Sequence, residues 1–192
     1  ERIVVKPTWE EYNAKADELV LEIDPGMAFG TGTHETTSLC MKLIEKYCTN
    51  YENTRVLDVG CGSGILSIAA ALLGCRYVLG TEIDDDAVSI AEENVKLNGV
   101  DGNVKIIHAD LTKGVNYRVD ILVANLMHDL IIRLAPDAVR HLDADGIFIS
   151  SGILIKKKEQ VSSAILDAGF EIVEILEDGE WCAIAARRKQ SA

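Results

Sequence analysis

Arg55, Val56, Leu57, Asp58, Val59, Gly60, Cys61, Gly62, Ser63, Gly64, Ile65, Leu66 reads as a hydrophobic strand that breaks into three alternate glycines and continues as an apolar helix. Such a turn presents backbone N–H groups, and glycines let a ligand approach that backbone with no Cβ in the way, so this is the expected cofactor site. A dinucleotide fingerprint sets its third glycine three residues after the second. Gly60, Gly62 and Gly64 are instead spaced by two, with acidic Asp58 just before them, a departure that argues against a pyrophosphate.

Strand and helix signals alternate outward from this turn. Residues 76–82 and 104–107 read as the next strands, with a helix over 84–97 between them whose Ala87, Ile90, Ala91 and Val95 make one apolar face. Residues 120–124 and 146–150 are two more strands, with helices over 65–73, 128–142 and 155–168. The runs 170–176 and 181–186, joined by Asp178 and Gly179, read as a hairpin that adds an antiparallel edge strand. Upstream, a glycine-rich loop follows Leu19 to Ile23 and leads into a helix over 34–47 capped by Thr33. The pattern defines an α/β fold with a mostly parallel seven-stranded sheet, helices on both faces, and a ligand site at the carboxyl ends of the strands.

Composition narrows the setting. A chain of 192 residues, 48% hydrophobic and 26% charged, suits one domain with a well-buried core. No run of 18 apolar residues and no signal-peptide pattern occur, so the expected location is cytoplasmic, with no membrane partner. Five cysteines without a CxxC pair or a zinc spacing are expected to be reduced core residues, and no metal site is expected. A formal charge of −12 disfavours phosphate backbones; it suits either a basic protein partner or solubility alone. The chain starts at Glu1 without an initiator methionine, and a preceding segment is expected; residues 1–20 are read as a lead-in left over from a linker, and 21–192 as the domain.

Residues at the strand ends carry the chemistry. Glu82, 22 residues after Gly60, is placed either to accept both hydroxyls of a ribose or to sit at a helix start. Asp110 either accepts from an adenine amino group or is a solvated loop residue. Asn125 ends its strand, where it either orients a substrate or caps the next helix. His128 is a candidate general base, with a helix start as the competing reading. Trp181 either borders the site or packs in the core or edge of the hairpin, packing being the favoured reading.

These residues resemble the class I S-adenosylmethionine-dependent methyltransferases, with Asp58 to Gly64 as their first motif. A narrower resemblance lies upstream: Asp24, Pro25, Gly26, Met27, Ala28, Phe29, Gly30, Thr31, Gly32, Thr33, His34, Glu35, Thr36, Thr37 looks like the signature of the ribosomal protein L-eleven methyltransferase family. Asp120 to Leu126, Ser151 to Ile153 and Gly179 to Trp181 match the same pattern. The resemblance implies S-adenosylmethionine held by Asp58, Gly60, Gly62, Glu82 and Asp110, its methionine end covered by the loop through Thr37, and Asn125 beside the transferring methyl. It further implies methylation of lysine side chains and the N-terminal amine of the ribosomal protein. His128 departs from the family pattern, which has a small residue there. The family also carries a small N-terminal domain that grips the substrate, for which 20 residues leave no room. The competing readings are a relative that methylates another protein or a small-molecule amine, and a non-catalytic donor-binding module. Asn125 is followed by Leu126 and Met127 rather than by a proline and an aromatic for stacking a flipped base, so nucleic acid is not the expected substrate.

Overall fold

Asp58 sits on a strand buried from both sides, and the architecture follows from how the sequence achieves that burial. The structure, a computed structural model, describes residues 2–24, 34–49 and 53–189. Its elements are β1 (Ile3–Pro7), β2 (Leu19–Ile23), α1 (Glu35–Tyr47), β3 (Arg55–Val59), α2 (Ile65–Leu72), β4 (Tyr77–Glu82), α3 (Asp85–Leu97), β5 (Val104–His108), β6 (Val119–Asn125), α4 (His128–His141), β7 (Leu142–Leu154), a 3-10 turn over Ile155–Lys157, α5 (Lys158–Asp167), β8 (Phe170–Asp178) and β9 (Trp181–Arg188). Seven strands form one sheet in the order β5-β4-β3-β6-β7-β9-β8, parallel except for β9.

Side chains alternate across the strands and build two apolar layers. Val56, Val78, Ile121, Val123 and Ile149 face α1, α2 and α3, while Leu57, Leu79, Leu122, Phe148 and Ile184 face α4 and α5. Asp58 shares the first parity and so projects beneath α2. All five cysteines are free and buried, as expected of core residues. Among the described residues no helix is long and apolar enough to cross a membrane.

The structure differs from the sequence reading in four places. The hairpin does not add an antiparallel strand at the edge: β9 inserts between β7 and β8, so the antiparallel strand is internal and β8 forms the edge. β7 runs over 13 residues rather than five, because its continuation pairs with both β6 and β9. The residue that caps α1 is His34, whose side chain accepts from the Thr36 N–H, and Thr33 lies outside the described residues. Finally, Ile3–Pro7 is a strand paired in parallel with β2, and Ile3 is buried in the main core.

Two asparagines tie β2 to α3 and to the glycine turn. Asn98 exchanges hydrogen bonds with the Glu22 backbone at 2.9 and 2.7 Å. One helical turn earlier, Asn94 accepts from the Asp24 N–H and donates to the carbonyls of Asp24 and Ser63, each at 3.0 Å. The chain leaving β2 is therefore fixed against the glycine turn before it enters residues 25–33, which lie outside the described residues together with most of the signature loop.

Candidate active site

The sheet order reverses between β3 and β6, the switch point at which α/β sheets open a crevice beyond their strand ends. A cavity of about 440 Å³ occupies it. Thr37, Asp58, Gly60, Gly62, Glu82 and Asn125 all line this cavity, although up to 88 residues of sequence separate them. Asp110 is not among its lining residues: its carboxylate is taken by Lys113 Nζ at 2.7 Å and Arg133 Nη2 at 2.9 Å, which hold it below the usual carboxylate pKa. His128 is the first residue of α4 and does not line the cavity.

The glycine turn does not offer the free N–H groups expected of it. Gly60 and Cys61 donate to the Thr81 carbonyl at 2.8 and 3.0 Å, Gly62 donates to Glu82 Oε2 at 2.9 Å, and Gly64 donates to the Cys61 carbonyl at 2.9 Å. These groups serve the turn rather than a phosphate. The alternate spacing follows from the backbone, since Gly60, Gly62 and Gly64 all adopt positive φ, at 71°, 54° and 81°.

Glu82 ends β4 and is held by backbone alone. Besides Gly62, the N–H groups of Ile83 and Asp84 donate to its Oε1 at 2.8 and 3.1 Å. Oε1 accepts two N–H groups and Oε2 one, so Oε2 keeps a lone pair that a ligand hydroxyl could use. Asp58 is 1% exposed and receives the Ser67 hydroxyl at 2.7 Å. Burial raises its pKa to about 7, against the Ser67 hydrogen bonds that lower it, and the negative charge of Glu82 adds to the rise. No ion pair reaches Asp58 among the described residues, and no Lys or Arg lines the cavity. The site is thus short of positive charge, which suits a cationic ligand and not a polyphosphate.

The far wall joins three elements distant in sequence. Asn125 Nδ2 donates to Thr36 Oγ1 at 3.2 Å and approaches Thr37 Oγ1 at 3.5 Å. Ser151 Oγ donates to the Thr36 carbonyl at 3.1 Å, and the Leu126 N–H donates to the Ser151 carbonyl at 3.1 Å. The N-terminus of α1 is therefore pinned to the ends of β6 and β7. Trp181 borders the site, the less favoured of its two readings: it lines the cavity and meets the His34 ring edge-on, with centroids 5.0 Å apart. Met127, 66% exposed, stands at the rim.

Gly152 is a residue that the sequence reading placed in a motif but not in the site. It lines the cavity with φ of 80°, and a Cβ there would overlap the Leu126 carbonyl and stand 3.1 Å from Asn125 Oδ1. Gly152→Ala combines a left-handed backbone, costing about 1–2 kcal/mol, with displacement of the Asn125–Leu126 turn. Urea melts are expected to show a loss of about 2–3 kcal/mol, beyond the backbone term alone, because the carbonyl cannot rotate away as a side chain would. A loss below about 0.5 kcal/mol would show that the turn yields freely.

The fold is that of the Rossmann-like class I methyltransferases. A methyltransferase from Pyrococcus furiosus shares this fold, with a TM-score of 0.69 at 18% identity over 88% of each chain. The profile of the ribosomal protein L11 methyltransferase family matches residues 1–189, and the chain belongs to that family. It is 52% identical over 187 residues to a ribosomal protein L11 methyltransferase of Heliobacterium modesticaldum and 50% identical over 188 to one of Caldanaerobacter subterraneus, covering 97% and 98% of this chain. The chain spans about 58% and 60% of the length of those two relatives. A crystal structure of ribosomal protein L11 methylase from Lactobacillus delbrueckii matches with a TM-score of 0.91 and 36% identity, over 98% of this chain and 96% of that one.

Proposed function

We propose that this chain is the catalytic part of a cytoplasmic protein methyltransferase that moves methyl groups from S-adenosylmethionine to the lysine side chains and N-terminal amine of ribosomal protein L11, with its machinery in residues 21–192. The observation that carries this reading is the pairing, across one cavity free of Lys and Arg, of buried Asp58 with an Asn125 amide held by Thr36.

When bound, S-adenosylmethionine supplies an activated methyl on a sulfonium. Asp58, with no ion-pair partner among the described residues, would hold the cationic methionine end, Glu82 the ribose hydroxyls, and the loop through Thr37 would cover the methionine end. The N-terminal attachment of that loop to Asn94 and its C-terminal cap at His34 support this role. A lysine ammonium, pKa about 10.4, is neutral at pH 7.4 about once in a thousand, a cost of about 4 kcal/mol that the site must offset. Asn125 addresses this cost. With its NH2 group donating to Thr36, its carbonyl oxygen remains to accept the amine's hydrogens and aim the nitrogen lone pair. The −12 charge of the chain complements a basic ribosomal protein.

The test incubates the full-length protein with labelled donor and purified ribosomal proteins. Label on L11 is the expected result; label on another protein would overturn the substrate, and no label anywhere would overturn the enzyme. Calorimetry on this chain is expected to show S-adenosylmethionine binding and no NAD binding, and the reverse would overturn the donor assignment.

A further inference from the structure

His34 lines the cavity beside Thr36, on the wall that carries Asn125. Its Nδ1 accepts the Thr36 backbone N–H at 3.3 Å and lies 2.9 Å from Thr36 Oγ1. An atom that accepts a backbone N–H carries no proton, so the Thr36 hydroxyl must be the donor in the second contact. That spends the only hydroxyl proton of Thr36. Toward Asn125, at 3.2 Å, Thr36 Oγ1 can then act only as an acceptor, and an acceptor selects the NH2 end of the carboxamide. The Glu35 carboxylate, 3.7 Å from Nδ1, is beyond hydrogen-bond range and does not displace the hydroxyl. The Trp181 ring, packed edge-on against His34, limits the imidazole's rotation.

We propose that His34 is a positioning residue that sets which end of the Asn125 amide faces the substrate amine, acting through the Thr36 hydroxyl. The inference rests on the function proposed above. The reversed amide would turn its NH2 toward the amine, donor against donor, and the acceptor that favours a neutral nitrogen would be lost. Nothing in the relay moves a proton during the reaction; it fixes one orientation out of two before the substrate arrives.

Two variants of the full-length protein separate this role from helix capping. His34→Ser keeps a preferred capping oxygen for α1 but draws it back toward the main chain, away from Thr36 Oγ1. His34→Asn places an amide oxygen where Nδ1 stands. With L11 as acceptor, His34→Ser is expected to lower kcat about 10- to 100-fold, with the Kd for S-adenosylmethionine within about two-fold of wild type. His34→Asn is expected to recover kcat to within about three-fold. Thr36→Val should match the Ser variant, and the His34→Ser/Thr36→Val double variant should be no slower than either, because both break the same relay. A second readout needs neither donor nor acceptor: long-range nitrogen–proton correlation spectra of this chain should show the His34 ring protonated at Nε2 only. A ring protonated at Nδ1, a Ser variant with wild-type kcat, an Asn variant without recovery, or multiplicative losses would each overturn the proposal. A wild-type protein that labels no ribosomal protein would overturn the function above, while the ring spectrum still reports on the relay itself.

Discussion

Asp58→Asn is expected to make the chain more stable and nearly unable to hold its donor. The carboxyl titrates at about 7 in the folded chain because burial disfavours its charge, and at about 3.9 when unfolded. A pKa raised by folding contributes stability that is fully present below about pH 3.9 and is lost as pH rises through 7. The difference of roughly three units amounts to about 4 kcal/mol at pH 8. Asparagine mimics the protonated form, still accepts the Ser67 hydroxyl, and avoids that loss, although its new NH2 group lacks an acceptor and takes back about 1–2 kcal/mol. Denaturation at pH 8 should therefore show a gain of about 2 kcal/mol, shrinking steadily as pH falls below about 7. Binding runs the other way. A cationic donor favours the ionised carboxylate, so wild-type affinity should climb up to about ten-fold per pH unit between pH 5 and 7, with close to one proton released per donor at pH 6, and level off above. The variant should bind about 100-fold more weakly or worse, without that slope. Equal donor affinity in the two proteins at pH 8 would remove Asp58 from the donor site.

One wall of the cavity was readable from the sequence and the other was not. Asp58 near the end of β3, Gly60 and Gly62 in the turn beyond it and Glu82 at the end of β4 are brought together by local features: a hydrophobic run, glycines that need positive φ, and an acidic residue closing the next strand. The opposite wall depends on contacts that no local pattern encodes. Asn125 meets Thr36 across 89 residues, and Ser151 meets the Thr36 carbonyl across 115. His34, Gly152 and Trp181 became site residues only when α1, β7 and β9 came together at the end of β6. Asp110, a strand-end carboxylate at a similar position, does not line the cavity and pairs with Arg133 and Lys113.

The misplaced edge strand left a readable signal. β8 carries exposed or half-exposed Glu171, Glu174 and Glu177 along its length, as an edge strand does, whereas Cys182 to Ala186 are apolar at every position and buried throughout. A fully apolar run belongs inside a sheet covered on both faces. The hairpin turn fixed that β8 and β9 pair, and this asymmetry of charge says which of them pairs with β7.

Asn125→Ala should separate donor binding from transfer more sharply than any other change in the site. Thr36 and Thr37 remain anchored without it, since Ser151 holds the Thr36 carbonyl and Thr37 N–H donates to the His34 carbonyl at 3.0 Å. The cavity therefore keeps its shape, and Asp58 and Glu82, on β3 and β4, keep theirs. Loss of one preorganised polar group aimed at the reacting atom typically lowers a rate about 10²- to 10³-fold, or about 2.7–4 kcal/mol. The kcat for methyl transfer should fall by that amount while the donor Kd changes by less than about three-fold, because the amide acts on the acceptor and not on the ribose or methionine ends. Asn125→Asp is the more informative companion. It keeps an oxygen but has no NH2 to give Thr36, and its negative charge favours the protonated amine that cannot attack. It should be no faster than the alanine variant at pH 7 and should recover in part at higher pH, where free amine becomes more abundant. An aspartate variant with wild-type kcat at pH 7 would mean that any oxygen suffices there, and the argument that the amide selects a neutral amine would fail.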